Sequence, residues 1–547
     1  MSSWTIIFRA SGLAAGLAAS GLGLTALAQG PQIEVQSLQA LDPLEVGLPG
    51  AALGLSLWDG TDSGLASRVL MQLPAADSPG YTSPALADLA RAVLSSGGYP
   101  PAGGRGDQAL PVLRADRLLA AGGVFEAYDL LERTPNLNEN EPLSRLQAEM
   151  AFATGNLRSA CHTADALLRG RDQAYWLRAR AFCLALDGQG SAAELTAELA
   201  RNAVEDAGYD ALLFAITLEA SAAEALPAID SGLKLAMARQ LHGDAALTGI
   251  DTTGAPGWLS RFVSGRAIPD AGPANGPAEA FAEALQLSGQ ARTAALEAVL
   301  SQGQDREIAA SALSALFDDA VAAHAFVLAA RHYGGEVQTL PVTHDTLGDG
   351  YRFALAALIS GDVSIARRWR DALFNGPPRP PVLPALDETG KPIEPMPGAI
   401  EPDVPEWVPP SPRRMVNLDL AMAIASDRLS GDRAAALIAA YQEAQGAAVL
   451  GDTLSLERLG ADPSPGVRAA LLELTPATVG PDLLAMEAAA RAGARAETAI
   501  LAVAALAHAG AQPDAGTLSR SVAALDALGL REAALNLLLE RIVARAV

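Results

Sequence analysis

The sequence predicts an all-α fold, a helix-hairpin repeat array or α-solenoid, interrupted by one Pro-rich segment. Three observations carry this expectation. Alanine, the strongest helix former, accounts for 116 of the 547 residues. Aromatic residues are only 5% of a chain that is 50% apolar, so small and aliphatic side chains must fill the core. Apolar stretches of helical period recur along the chain, many broken near the middle by a glycine.

The composition also excludes functions. With 39 Lys and Arg against 62 Asp and Glu, the formal net charge is −23. That argues against nucleic acid as a partner, since phosphate binding needs a basic footprint. A chain 18% charged and half apolar is too hydrophobic to stay disordered. Beyond the first thirty residues no uninterrupted apolar run reaches the length of a bilayer span. Only Lys234 and Lys391 are lysine, so nearly every cation is arginine. This fits guanidinium recognition of carboxylate or phosphate, or simply the codon bias of a GC-rich genome.

Residues 1–28 read as a signal peptide. One cation, Arg9, precedes a mild apolar stretch from Ala10 to Leu24, and Ala26-Leu27-Ala28 supplies a small-x-small cleavage pattern. Glycine and serine dilute the stretch and make it a poor permanent span. An uncleaved anchor is the alternative. Cleavage after Ala28 would place the mature chain in a bacterial periplasm. Residues 29–109 form an extended, loop-rich N-terminal region with one or two helices. Ser83 to Leu94 reads as a helix, and a Gly-rich stretch follows at 97–108. Its Arg105-Gly106-Asp107 triplet matches an adhesion tripeptide, a coincidence of composition.

Residues 110–375 form a helical repeat domain. Units at 118–131, 151–168, 181–199, 284–300 and 357–373 pair two helices across a turn. The pattern returns in the C-terminal helical repeat region, 414–547, at 429–440, 489–507 and 524–540. Gly123, Gly155, Gly188, Gly289, Gly361, Gly431, Gly493 and Gly529 are the expected turn residues, because glycine enters the left-handed conformation without a Cβ clash. A small alanine after each turn lets the two helices approach closely. No such unit buries its apolar face alone, which is the logic of a solenoid. Between Thr248 and Gly276 the chain reads as loop.

The pattern resembles the tetratricopeptide-repeat superfamily, whose units centre on a small residue, a glycine and a later alanine. Ala151, Gly155 and Ala160 match, as do Ala354, Gly361 and Ala366 with a longer gap. Spacing between turns varies, and the family's aromatic positions and closing proline are mostly missing. The resemblance implies a protein-interaction scaffold.

Cys161 and Cys183 are the only cysteines. Their midpoint, residue 172, falls in a break between two helical stretches, Leu157–Leu168 and Ala174–Leu186. Residues equidistant from the turn of an antiparallel hairpin face one another, so a disulfide is expected, in keeping with an oxidising compartment. Two buried free thiols are the alternative.

Residues 376–413 are a Pro-rich linker or strap, and the stretch to Arg414 holds 13 of the 35 prolines. Helices cannot continue there, because proline lacks a backbone donor and fixes φ. The segment is either a semi-rigid spacer or a strap docked on the helices with Trp407 as its anchor.

The six histidines form no His-x-x-x-His pair; His324 and His332 share one expected helix, two turns apart. Ser231-Gly232-Leu233-Lys234 imitates the serine–lysine motif of penicillin-binding enzymes without its companions, and reads as a helix start. Asp345 to Gly350 imitates a calcium loop with Leu347 and Ala356 at ligand positions, and is expected to cap the helix from Tyr351. Asp318 and Asp319 are adjacent on a helix and diverge. No catalytic, cofactor or metal site is expected. The functional expectation is a periplasmic, non-enzymatic scaffold that binds another envelope protein or peptide. The alternative is the superhelix of a cell-wall-acting enzyme or of its regulator, similar to the helical rings of lytic transglycosylases.

Overall fold

The computed structural model describes residues 41–50, 53–218, 226–243, 250–264, 276–302, 305–376, 407–473, 479–510 and 512–547. The expected signal peptide, with Ala26 and Ala28, lies outside them, as does most of the Pro-rich segment. Among the described residues every regular element is helical, and the one β pairing is an isolated bridge between Asp62 and Ala102.

The first helices are α1 (Ser63–Met71), α2 (Pro84–Leu94), α3 (Ala109–Ala120), α4 (Val124–Glu132), α5 (Glu141–Thr154), α6 (Leu157–Ala166), α7 (Ala174–Leu186), α8 (Gly190–Ala203), α9 (Ala207–Thr217) and α10 (Gly232–His242). A middle set follows: α11 (Gly257–Ser264), α12 (Pro277–Ala284), α13 (Gly289–Gln302), α14 (Arg306–Ala322), α15 (Phe326–His332), α16 (Gly334–Thr339), α17 (His344–Leu347), α18 (Gly350–Ile359) and α19 (Val363–Asn375). After the Pro-rich segment come α20 (Pro412–Ala425), α21 (Asp432–Gln445), α22 (Leu450–Arg458), α23 (Pro465–Leu472), α24 (Pro481–Ala492), α25 (Arg495–Ala509), α26 (Ala515–Ala527) and α27 (Arg531–Ala546).

One turn geometry closes nine helix pairs among the described residues. The left-handed residue is Gly122, Gly155, Gly188, His324, Gly361, Asp427, Gly460, Gly493 or Gly529. In each case the next residue's N–H donates to the carbonyl five residues back, at 2.8–3.0 Å, as from Asn156 to Ala151 and from Arg428 to Ala423. This is the Schellman closure, which satisfies helix-end carbonyls. Positions 122, 155 and 188 are 33 residues apart, and so are 427, 460 and 493. The intervals 324 to 361 and 493 to 529 are 37 and 36. Five residues past the left-handed position an alanine recurs: Ala127, Ala160, Ala193, Ala366 and Ala534 are all 0% exposed. A methyl group there lets the second helix seat against the first, whereas a longer side chain would overpack the contact.

This register corrects the expected turns. Gly122, not Gly123, takes the left-handed position. Gly289 has a positive φ but opens α13 without the closing bond. Gly431 precedes α21, while Asp427 closes the turn before it. Asp and His tolerate the left-handed region better than most side chains, so glycine was not the sole marker. His324 and His332 accordingly belong to different elements, a turn and the end of α15. The stretch 248–276, expected as loop, contains α11, whose Trp258 and Leu259 are buried.

Cys161 on α6 and Cys183 on α7 lie at disulfide distance, with Cα atoms 5.7 Å apart. The C-terminal hairpins share a buried ionic centre. Asp452 on α22 is fully buried, and it accepts from Arg541 Nε at 2.8 Å and from Tyr441 OH at 3.3 Å. Arg545 Nε lies 3.1 Å from its second oxygen.

The array is tied back on itself at α2, which packs against α3 and also against α15, α25 and α27. Glu540 of α27 accepts from Ala85 N and from Ser83 Oγ, both at 2.6 Å, so a C-terminal side chain caps an N-terminal helix. Thr61 donates to Glu497 of α25 at 3.3 Å, and Ala496 N donates to Leu57 O at 3.0 Å. Arg331 of α15 pairs with Asp88 of α2 at 2.6 Å. At the C-terminal end of α2 stands Arg114 of α3, only 3% exposed. Its guanidinium donates to the carbonyls of Leu94, Ser96 and Val46 at 2.7–3.0 Å, and to those of Pro43 and Leu44 at 3.5 Å. Burial pushes its pKa down to about 10.

Candidate functional site

Between α19, α20 and α21 lies a groove of about 450 Å3, a size at which small ligands and peptide segments are held. α19 contributes Arg367, Arg370 and Asp371; α20 contributes Asp419, Met422 and Ala423. The turn between α20 and α21 adds Ser426, Arg428 and Ser430, and α21 adds Arg433, Ala434 and Leu437. Four guanidiniums against two carboxylates make this groove positive in a chain of net charge −23.

The arginines are held differently. Arg370 forms a two-point fork with Asp419, Nε to Oδ1 at 2.8 Å and Nη2 to Oδ2 at 3.0 Å. Its guanidinium also lies 5.3 Å from the Phe374 ring centroid. The hydrogen bond to Asp419 raises its pKa further. Arg433 only grazes Asp419, at 3.9 Å, and is 82% exposed. Arg367 and Arg428 have no ion pair among the described residues. The turn bearing Arg428 is itself fixed. Asp427 occupies its left-handed position, and Arg531 grips the Asp427 carboxylate at 2.8 and 3.0 Å. Those hydrogen bonds hold the Asp427 pKa below the ordinary carboxylate value. The site thus offers guanidinium donors and serine hydroxyls over an apolar floor of Met422, Ala423 and Leu437.

A second cleft, of about 260 Å3, has the opposite sign. Asp305 and Glu307 at the start of α14 face Asp345 and Asp349, with Phe353 behind them. Asp305 is occupied in capping α14 through Glu307 N and Ile308 N. Among the described residues no three His, Cys, Asp or Glu side chains are placed to hold a metal ion.

The residues marked in the sequence fall into structural roles. Ser231 is the N-cap of α10, accepting from Lys234 N, while Lys234 Nζ pairs with Asp206 and Asp230 at 2.9 Å each. Asp349 sits at the N-cap of α18 without making a cap bond; its carboxylate faces Arg352 at 3.5 Å instead. Asp318 and Asp319 diverge to Arg352 and Arg292. Asp107 of the Arg-Gly-Asp triplet caps α3. Trp407 packs at the end of α19 and donates from Nε1 to Leu373 O at 2.9 Å. None of these residues lines the groove. Its arginines come from α19, from α21 (Arg370 and Arg433 are 63 residues apart) and from one turn, with no local motif to mark them; the arginine-for-lysine bias was the sole hint. Comparison with protein-family models, curated proteins and solved structures returned no match.

Proposed function

We propose that the chain is an exported, non-enzymatic helical-repeat scaffold, of tetratricopeptide-repeat-like construction, that binds another protein or peptide in the bacterial cell envelope. The observation that carries this reading is the recurring hairpin, with its common turn bond, its buried alanine five residues on and its 33-residue interval. Stacked hairpins of one geometry present a broad surface suited to holding a partner. Export is supported by the Ala26-Leu27-Ala28 pattern and by two cysteines at disulfide distance.

The test begins with the full-length gene expressed in a bacterial host. Material recovered from the periplasm should start at Gln29 by mass measurement. Crosslinking of the mature protein in an envelope fraction should then retain a defined partner. Retention of Met1 in a cytoplasmic product would overturn export. Hydrolysis of purified peptidoglycan by the protein would overturn the non-enzymatic assignment.

A further inference from the structure

We propose that the arginine groove between α19, α20 and α21 is the docking surface, and that it takes a short, extended, Asp/Glu-rich segment of the partner through side-chain carboxylates. This deepens the scaffold reading and rests on it.

The chain as a whole repels anions, yet four arginines converge here against Asp371 and Asp419. At physiological ionic strength, charges beyond about 8 Å are largely screened. The local field of the groove therefore decides at contact, while the acidic remainder disfavours a partner that is anionic over a wide area. A short acidic stretch satisfies both conditions.

Asp419 is already satisfied by Arg370, so it neutralises that arginine and leaves the rest. Arg367, Arg428 and Arg433 then project from α19, the intervening turn and α21 with their guanidiniums open. Planar guanidinium forks match carboxylates in two-point bonds. The turn that carries Arg428 is pinned by the Asp427–Arg531 pair, so the backbone bearing that donor is fixed before a ligand arrives, and only its side chain has to order on binding. Below the rim, Met422, Ala423 and Leu437 receive the methylene groups of acidic side chains.

The test is fluorescence anisotropy of a labelled hexaglutamate peptide titrated with the full chain. Saturable binding is expected, equal for the C-terminally amidated and free-acid forms, weaker at high salt, and absent for hexaglutamine. The double variant Arg367→Glu/Arg433→Glu should weaken binding by about tenfold or more, equivalent to roughly 1.4 kcal/mol. Neither side chain supports the fold, so its far-UV circular dichroism should match the parent. Binding that requires the free C-terminus, an equal affinity for inorganic phosphate, or insensitivity to the double variant would each overturn the proposal. A crosslinked envelope partner that ignores the double variant removes the groove but leaves the scaffold. Peptidoglycan hydrolysis alongside intact peptide docking removes the scaffold reading and leaves the groove.

Discussion

The hairpins α5–α8 and the junction around α2 are built from the same amino acids on opposite plans. In α5–α8 consecutive helices pack on one another, with α10 as the remote helix seated on α5, the turns at Gly155 and Gly188 repeat one bond, and Cys161 faces Cys183 across residue 172. At α2 the decisive contacts span the chain. Ser83 and Ala85 meet Glu540, Thr61 meets Glu497, and Asp88 meets Arg331. The hairpins depend on small apolar residues and local closure. The junction depends on a few buried polar groups, each satisfying atoms that burial would otherwise leave unpaired. Redundancy protects the first plan, and single substitutions threaten the second.

That contrast can be broken experimentally. The largest effect is expected for Arg114→Met, which keeps the volume but leaves the carbonyls of Leu94, Ser96 and Val46 buried without donors. A loss of about 3–5 kcal/mol should appear as a lower urea midpoint. An unchanged midpoint would mean that the junction is as tolerant as the hairpins. In the hairpin region, Cys161→Ser with Cys183→Ser should cost about 3 kcal/mol, through the entropy of a roughly 20-residue loop. The same shift should follow reduction of the parent and be absent on reducing the variant.

The junction should also respond to pH. Burial, reinforced by Asp88, pushes the Glu540 pKa up to about 7 against the pull of the Ser83 and Ala85 hydrogen bonds and Arg331. A carboxyl whose folded value exceeds its unfolded one stabilises the fold fully below the ordinary carboxylate value and loses that contribution as pH rises toward 7. Burial raises Glu497 in the same direction. The parent should therefore melt lower at pH 8 than at pH 5, by roughly 2 kcal/mol from Glu540. Glu540→Gln should flatten most of this slope, and an unchanged slope would relocate its source. The smallest effect is expected in a hairpin, where Asp362 caps α19 through Ser364 N and Ile365 N. Asp362→Ala should cost about 1 kcal/mol, measurable as a small change in midpoint with no effect on α2.

The sequence was legible where structure is local. Helical periodicity, most turn glycines and the Cys161–Cys183 facing all follow from contacts within some 20 residues. The 33-residue interval from 427 to 493 was hidden, because Asp427 closes a turn that carries no glycine at that position, and Gly460 sits in a stretch with no preceding marker. The junction was not legible at all. A single Arg114 in α3 or Glu540 in α27 has no pattern around it, since its partners are backbone atoms and remote helices. The groove shares that fate: Arg370 and Asp419 are separated by the Pro-rich segment, and nothing in either helix alone announces their fork.

The cap that Glu540 places on α2 also sets an order of events. Ribosomes and translocation channels release a chain from its N-terminus, so α2 emerges while the carboxylate that will close it is still some 450 residues away. The hairpins can assemble as they appear, each on its predecessor. The earliest helices must wait longest, with Leu86, Leu89 and Val93 lacking their final neighbours. An escorting chaperone would find its longest-lived target there, and a chain truncated before α27 would leave α2 with only the local Ser83 cap on Leu86 N and without the Glu540 carboxylate.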